Sequence, residues 1–350
     1  MSETDSNNPF VSIIILNYNA GELLINCIQS ITDSNYSNYE IILVDNNSND
    51  ESHIRCKKKF EQIKLIENKK NYGYCEGNNI GIRQASGKFI TILNPDTIVD
   101  KNWLDYLIQA YDEKGEGLYQ PKILSLYEKN ILQSTGNYIQ LFGFGYARDK
   151  GEENSEKRDK IEKVGFASGT CLFTSKMVLD KIGLLDPFIF LYLDDLDLGW
   201  RAKHLGISSF FVPNSVVYHA ESYILKWTSK KFYWLERNRK YCLMTHFSKK
   251  TISKMLPTLI IVDILIFFFY LSKGFVFSKI KADLDIVKNW SHIKKRRNEL
   301  ELIKKFEDKE IIKSFTDDIF VPKAVFKTSS KKFFDNTISK LSKSVRKKFD

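Results

Sequence analysis

Apolar residues recur along this chain in two rhythms. Val11–Leu16, Glu40–Val44 and Phe89–Leu93 are short unbroken runs, with Ile63–Ile66 a shorter one. Runs of that length predict strands covered on both faces, as in a parallel sheet. Between them, Glu22–Ile31 (Leu23, Leu24, Cys27, Ile28, Ile31) and Glu76–Ala85 carry helical spacing. Strand alternating with helix from Val11 to Leu93 predicts an α/β, doubly wound half. Lys101–Tyr111 predicts another helix. Gly115–Glu162 is irregular, with short strands at Gln120–Leu124 and Tyr138–Leu141, the kind of insertion that shapes a pocket. Beyond it the pattern predicts a strand over Val164–Thr174 and helices over Ser175–Ile182 and Asp194–Leu205. Strands over Ile207–Val212 and Ser215–Tyr218 follow.

The rhythm then changes. Lys230–Phe247 is a basic, aromatic helical segment, and Leu256–Phe277 is 22 apolar residues interrupted by Asp263 and Lys273. About 20 residues cross a bilayer, while an aspartate at mid-helix costs about 2.5–3.5 kcal/mol on an insertion scale. Lysines flank the segment on both sides, so it reads as a single span or as a monotopic, in-plane segment. Near the end, Phe334, Ile338, Leu341, Val345 and Phe349 share one helical face. Lys331, Lys332, Lys340, Lys343, Arg346, Lys347 and Lys348 surround it, predicting an interfacial basic amphipathic helix. The expected organisation is a flexible N-terminus (1–10), an α/β domain (11–247), an apolar membrane-associated segment (248–280) and a basic helical tail (281–350).

Charge supports that division. The net charge is +10, and residues 278–350 hold 20 Lys/Arg against 11 Asp/Glu. A basic tail points to an anionic surface. Membrane lipid is the expected partner; no nucleic-acid recognition module accompanies the tail. The five cysteines are scattered, which favours neither a disulfide framework nor zinc and suits a reducing compartment. The first ten residues lack the basic and apolar regions of a signal peptide. The cytoplasmic face of the cell membrane is the expected location.

Three places carry candidate chemistry. In open α/β sheets ligands bind beyond the carboxyl ends of the strands, and two strands here end in acids, Asp45 and Asp96, with Asn17 and Asn19 after the first. Pro95 fixes its own φ and keeps Asn94 out of the helical region, holding Asp96 at a turn. A carboxylate there suits a hard divalent cation, Mg²⁺ or Mn²⁺. The second place is Asp194, Asp195 and Asp197, three carboxylates opening a helix. One caps it well, but three repel one another unless something neutralises them. The third is His219, at a strand end.

Six segments in order resemble the family 2 glycosyltransferases, and more narrowly their rhamnosyltransferase-like branch. They are VSIIILNYNAGELL (Val11–Leu24), YEIILVDNNSND (Tyr39–Asp50), NYGYCEGNNIGI (Asn71–Ile82), GKFITILNPDT (Gly87–Thr97), GLLDPFIFLYLDDLDLGWRAKHLG (Gly183–Gly206) and VVYH (Val216–His219). The resemblance implies a GT-A fold, a Rossmann-like single domain with a mixed sheet. It implies that Asp45 binds the nucleotide base, that Asn17 and Asn19 line the same pocket, and that Asn79 lies near the diphosphate. Asp96 becomes the last residue of a DxD-type metal motif and His219 a second metal ligand. Asp195 becomes the base of an inverting transfer, with Asp194, Asp197 and Arg201 in support. The implied donor is UDP- or dTDP-linked and the acceptor a glycan or polyprenyl-linked glycan. Three departures stand out: Asn94 where the motif has Asp, Asp194 where Glu is commoner, and Ala220-Glu221-Ser222 after His219.

Other classes fit less well. A nucleotidyltransferase needs a Gly-rich phosphate loop with Arg after the first strand, where this chain has Asn17-Tyr18-Asn19-Ala20-Gly21. A dehydrogenase needs GxGxxG, and Gly143-Phe144-Gly145 lacks the third glycine and the helix. A nucleotide-sugar-binding protein without turnover remains as the alternative.

Overall fold

The computed structural model describes residues 8–155, 157–221, 228–319 and 328–349; most of the expected flexible N-terminus (1–10) lies outside them. Two compact units form, the first from Met1–Asn137, Ala147–Ala202 and Ile207–Tyr223. Its chain runs β1 (Val11–Asn17), α1 (Glu22–Thr32), β2 (Tyr39–Asp45), α2 (Ser52–Lys59), β3 (Lys64–Glu67), α3 (Gly73–Arg83) and β4 (Phe89–Leu93). It continues through β5 (Thr97–Val99), α4 (Trp103–Lys114), β6 (Gly117–Ser125) and β7 (Leu132–Ser134). The short strands β8 (Asn137–Ile139) and β9 (Gly145–Ala147) pair with each other. Then come β10 (Glu162–Val164), β11 (Cys171–Ser175), α5 (Lys176–Ile182), α6 (Asp194–His204) and β12 (Ser208–His219).

The sheet order is β10-β12-β6-β11-β4-β1-β2-β3, with β5 on β12 and β7 on β6. β1, β2, β3 and β4 are parallel; β11 is antiparallel to β4 and β6; β12 is parallel to β6. This is the mixed sheet that was expected. β1 is buried at every position, which is why its run shows no alternation. Its odd residues Val11, Ile13 and Ile15 join α1 and α4 in the core, beside Leu24, Ile28 and Trp103. Each such side chain contributes roughly 1.5–3 kcal/mol when removed from water. Its even residues meet α3 through glycine. A Cβ on Gly81 would lie 2.5 Å from Ile14 Cγ2, and one on Gly77 2.5 Å from Leu16 Cδ1, so only glycine allows that approach.

The second unit comprises Tyr138–Tyr146, Lys203–Gly206 and Ile224–Asp350. Its helices are α7 (Ser229–His246), α8 (Lys249–Ser272), α9 (Val276–Lys288), α10 (Trp290–Ile303), α11 (Asp308–Lys313) and α12 (Thr328–Arg346). Buried charges organise it. Glu236, 2% exposed, bonds Arg239 at 2.9 Å and lies 3.3 Å from Lys279, itself 1% exposed. Arg239 Nη1 also donates to the Phe142 carbonyl at 3.0 Å. These partners place α7 in this unit, whereas the sequence pattern ends the first domain at 247.

Several elements differ from expectation. α2 was not anticipated, because its Lys-rich surface buries only Ser52, His53 and Cys56. Val164–Thr174 is two strands, β10 and β11, parted by a loop through Gly165 and Gly169. Ile207–Val212 and Ser215–Tyr218 are one strand, β12, bulged between Val212 and Val216. The 22-residue apolar run is not one helix: α8 stops at Ser272 and Gly274 turns with φ +74°. The apolar face of α12 is not presented for lipid. Phe334, Ile338 and Val345 are buried, Phe334 lies 6.2 Å from the Phe269 ring, and Arg346 bonds Asp317 at 2.9 Å. Lys331 and Lys332 lie outside the residues whose side chains are described.

Candidate active site

The parallel strands deliver β1, β2, β4 and β12 to one edge of the first unit's sheet. β1 ends at Asn17 and β2 at Asp45, which are register partners. Asn17 Nδ2 donates to Asp45 Oδ1 at 2.8 Å and to Ser52 Oγ at 2.9 Å. Asp45 Oδ2 accepts the Ser48 N–H at 2.9 Å, and His53 Nδ1 stands 3.3 Å from Oδ1. Asp45 is 2% exposed, so its carboxylate shapes the 46–52 turn from within. Asn19 lies in the left-handed region (φ +56°) and its side-chain oxygen accepts the Asn49 N–H at 2.7 Å. Tyr18 beside it is exposed. Asn79 sits deeper. Its amide donates to the Leu185 carbonyl at 2.7 Å and accepts the Leu185 N–H at 3.1 Å, pinning the chain ahead of the acidic helix.

Asp96 and His219 meet through a strand pair. β5 runs antiparallel to β12 with Thr97 opposite His219, and the Ala220 N–H bonds the Asp96 carbonyl at 2.9 Å. His219 Nε2 lies 3.3 Å from Asp96 Oδ1. Gln133 sets the ring. Its Nε2 donates to the His219 carbonyl at 2.8 Å, so its Oε1, 2.7 Å from Nδ1, accepts the ring proton there. In the neutral ring Nε2 then presents a lone pair to a carboxylate oxygen. A cation between them removes that repulsion. An imidazole nitrogen and a carboxylate, with the far ring nitrogen hydrogen-bonded, are a donor set that fits a divalent cation.

The acidic helix reaches the same edge through β11. Cys171 pairs with Leu93, and the Asn94 N–H bonds the Thr170 carbonyl at 2.9 Å. One residue earlier, the Gly169 N–H donates to Asp195 Oδ2 at 3.1 Å, while Leu196 N–H reaches Oδ1 at 2.9 Å. Tyr74 holds this loop by donating to the Gly169 carbonyl at 2.6 Å. Burial raises the pKa of Asp195, an effect the two N–H donors oppose. Asp194 is pushed well up, by burial first and then by the charge on Asp195. The pair therefore titrates as a unit. Phe190, Tyr192 and Leu193 precede it with φ of +65°, +67° and +61°. Bulky residues pay to sit there, and such strain clusters at functional sites.

Asp197 and Arg201 turn away from this edge. Their ion pair, 2.8 Å long and 1% and 0% exposed, is internal, and Arg201 also donates to the Ile182 carbonyl at 2.6 Å. They brace α6 against the end of α5. A separate 410 Å³ cavity lined by Tyr106, Glu113, Asp159 and Asn214 shares no residue with the site. Gln133, Gly169 and Tyr74 were not identified from sequence. Gln133 lies in the irregular insertion, 86 positions from its histidine, and no local pattern marks it.

The chain is similar to several known proteins. The chain is 27% identical over 205 residues to the low-salt glycan biosynthesis hexosyltransferase Agl10 of Haloferax volcanii, covering 57% of this chain and 63% of that one. It is 21% identical over 233 residues to the N-acetylglucosaminyl-diphospho-decaprenol L-rhamnosyltransferase of Mycobacterium tuberculosis, covering 60% and 76%. The chain thus spans less than two thirds of the Agl10 length. Among solved structures it resembles GalNAc-T7, determined with UDP, GalNAc and Mn²⁺ (TM-score 0.58, 19% identity, 70% and 49% covered). It also resembles a Pyrobaculum calidifontis mannosyltransferase determined with GDP-Man and Mn²⁺ (TM-score 0.51, 12% identity, 97% and 87% covered). These likenesses establish the GT-A fold. Residues 12–183 match glycosyl transferase family 2, and the chain carries a domain of that family.

Proposed function

We propose that this chain is an inverting glycosyltransferase. It moves a sugar, rhamnose or another hexose, from a UDP- or dTDP-linked donor to a hydroxyl of a glycan or polyprenyl-linked glycan during cell-surface assembly. The observation that carries this reading is the placement of Asp195, held by two backbone N–H groups on the sheet edge that also bears Asp96 and His219. A sugar hydroxyl is a poor nucleophile, so a carboxylate must take its proton as it attacks. Asp195 fills that role. Its raised pKa makes it a stronger base than an ordinary aspartate, and its two N–H donors keep it aimed. One displacement with one base inverts the anomeric centre.

Asp96 and His219 would hold a divalent cation, Mg²⁺ or Mn²⁺, which would supply positive charge to neutralise a departing diphosphate. Asn17, Asn19 and Asp45 form the nucleotide end, Asp45 acting through the 46–52 turn. Asn79 fixes the Leu185 backbone beside the diphosphate, while Asp194, Asp197 and Arg201 support the base. The Mn²⁺ in both solved neighbours and the lipid-diphosphate acceptor named in the mycobacterial relative support these assignments. The long apolar helix Lys249–Ser272 supports attachment to a membrane, and we place the site at its cytoplasmic face.

The test is Asp195→Asn, assayed by diphosphate released from a panel of nucleotide sugars with Mn²⁺ or Mg²⁺. Transfer should fall about 10²–10⁴-fold, the worth of general base catalysis, with donor affinity unchanged by calorimetry. Retention of more than about a tenth of the rate removes Asp195 from the role. Donor binding by the unaltered chain with no turnover on any acceptor would favour the binding-protein alternative.

A further inference from the structure

We infer that the outer face of α8 and α9 seats the helical unit in the plane of an anionic bilayer, without crossing it. α8 is two-sided. Thr251, Met255, Thr258, Val262, Ile266 and Tyr270 are buried in the unit. On the other side Ile260, Ile264 and Phe268 are 52%, 50% and 60% exposed, and α9 adds Phe277, Leu284 and Val287 at 81%, 64% and 72%. Large apolar side chains left this exposed on two successive helices mark an interaction site.

The charges beside it are sorted by sign. Between Lys249 and Lys288 there are three acids, and each is tied to the unit. Asp263 bonds Lys240 at 2.7 Å and Lys279 at 2.9 Å. Asp283 bonds Lys279 at 2.7 Å and also Lys240. Asp285 bonds Arg237 and the Tyr233 hydroxyl, each at 2.9 Å. The lysines left exposed are Lys249, Lys250, Lys254, Lys273, Lys281 and Lys288. An apolar face rimmed by cations alone is complementary to lipid tails beneath anionic headgroups. A second copy would set one cationic rim against another.

The ion network also decides against a span. Asp263, the charge that made insertion costly, is satisfied only while α8 stays docked beside Lys240 and Lys279. Carrying α8 through the bilayer would strip those partners or submerge Lys281 and Lys288 with it. An in-plane helix keeps them all and sinks its outer face about 5–10 Å.

The full chain is tested by flotation with phosphatidylcholine vesicles, with and without phosphatidylglycerol. Ile264→Asp with Phe268→Asp should lower partition at least tenfold on both. Lys249→Gln with Lys250→Gln and Lys254→Gln should lower it on anionic vesicles alone. The five native cysteines are buried, so Lys254→Cys and Lys273→Cys, exposed at the rim of that face near the two ends of α8, report topology. An impermeant maleimide added outside sealed vesicles should label both. Protection of one of them means a span and overturns the inference. So does failure to float together with a dimer in solution. Diphosphate release in detergent should be unchanged in every variant, which separates this result from failure of the transferase reading.

Discussion

Gln133→Leu should weaken Mn²⁺ binding while leaving the fold intact. The substitution removes the acceptor 2.7 Å from His219 Nδ1 and the donor 2.8 Å from the His219 carbonyl. The carbonyl keeps the Leu126 N–H at 3.0 Å, so the backbone is not orphaned and the loss falls on the ring. Without Gln133 the imidazole is free to rotate and to move its proton to Nε2, the nitrogen that faces Asp96. Removing the partner of a ligating histidine costs about 10–100-fold in metal affinity, equivalent to about 1.4–2.8 kcal/mol. Gln133→Glu provides the control, since a carboxylate still accepts the Nδ1 proton; its affinity should stay within a few-fold of the unaltered chain. Both are measured by the electron paramagnetic resonance signal of free Mn²⁺ during titration in the presence of a nucleoside diphosphate. If Gln133→Leu binds Mn²⁺ within twofold of the unaltered chain, Gln133 does not set the ring and the tautomer argument fails.

Two further outcomes follow from buried charge. Asp195 must be ionised to accept a proton, and burial raises its pKa above the ordinary 3.8, so kcat/KM for transfer should fall on acidification at a higher pH than an ordinary aspartate would dictate. A rate flat down to pH 3.8 would refute this. Arg201→Met should cost about 3–5 kcal/mol in urea unfolding, because it removes the guanidinium from a carboxylate that is 1% exposed. Adding Asp197→Leu should restore much of the loss, and an unchanged midpoint in the single variant would show the pair to be dispensable.

The sequence showed best what burial makes simple. β1, β2 and β4 are apolar throughout because both faces are covered, and their ends pointed to Asn17, Asp45 and Asp96. The acids of α6 were legible as an excess over what capping needs. What escaped depends on contacts between distant segments. Gln133 and Gly169 act through hydrogen bonds to His219 and Asp195, and neither has a local signature. Hydrophobic periodicity also cannot say what covers an apolar face. The stripe on α12 and the run in α8 looked equally suited to lipid, yet the first packs against protein and the second leaves half its circumference bare.

The pairing of β5 with β12 also bears on synthesis. His219 is the final residue of β12, a strand that lies between β6 and β10, and β12 carries the register that holds His219 against Thr97. Contacts between segments so far apart in sequence form late. A ribosome that has released everything through Gly183 has made the whole of the matched domain, with Asp45 and Asp96, but neither Asp195 nor His219. A chain released only through Gly183 therefore lacks both the strand that brings His219 to Asp96 and the carboxylate that the Gly169 N–H bonds.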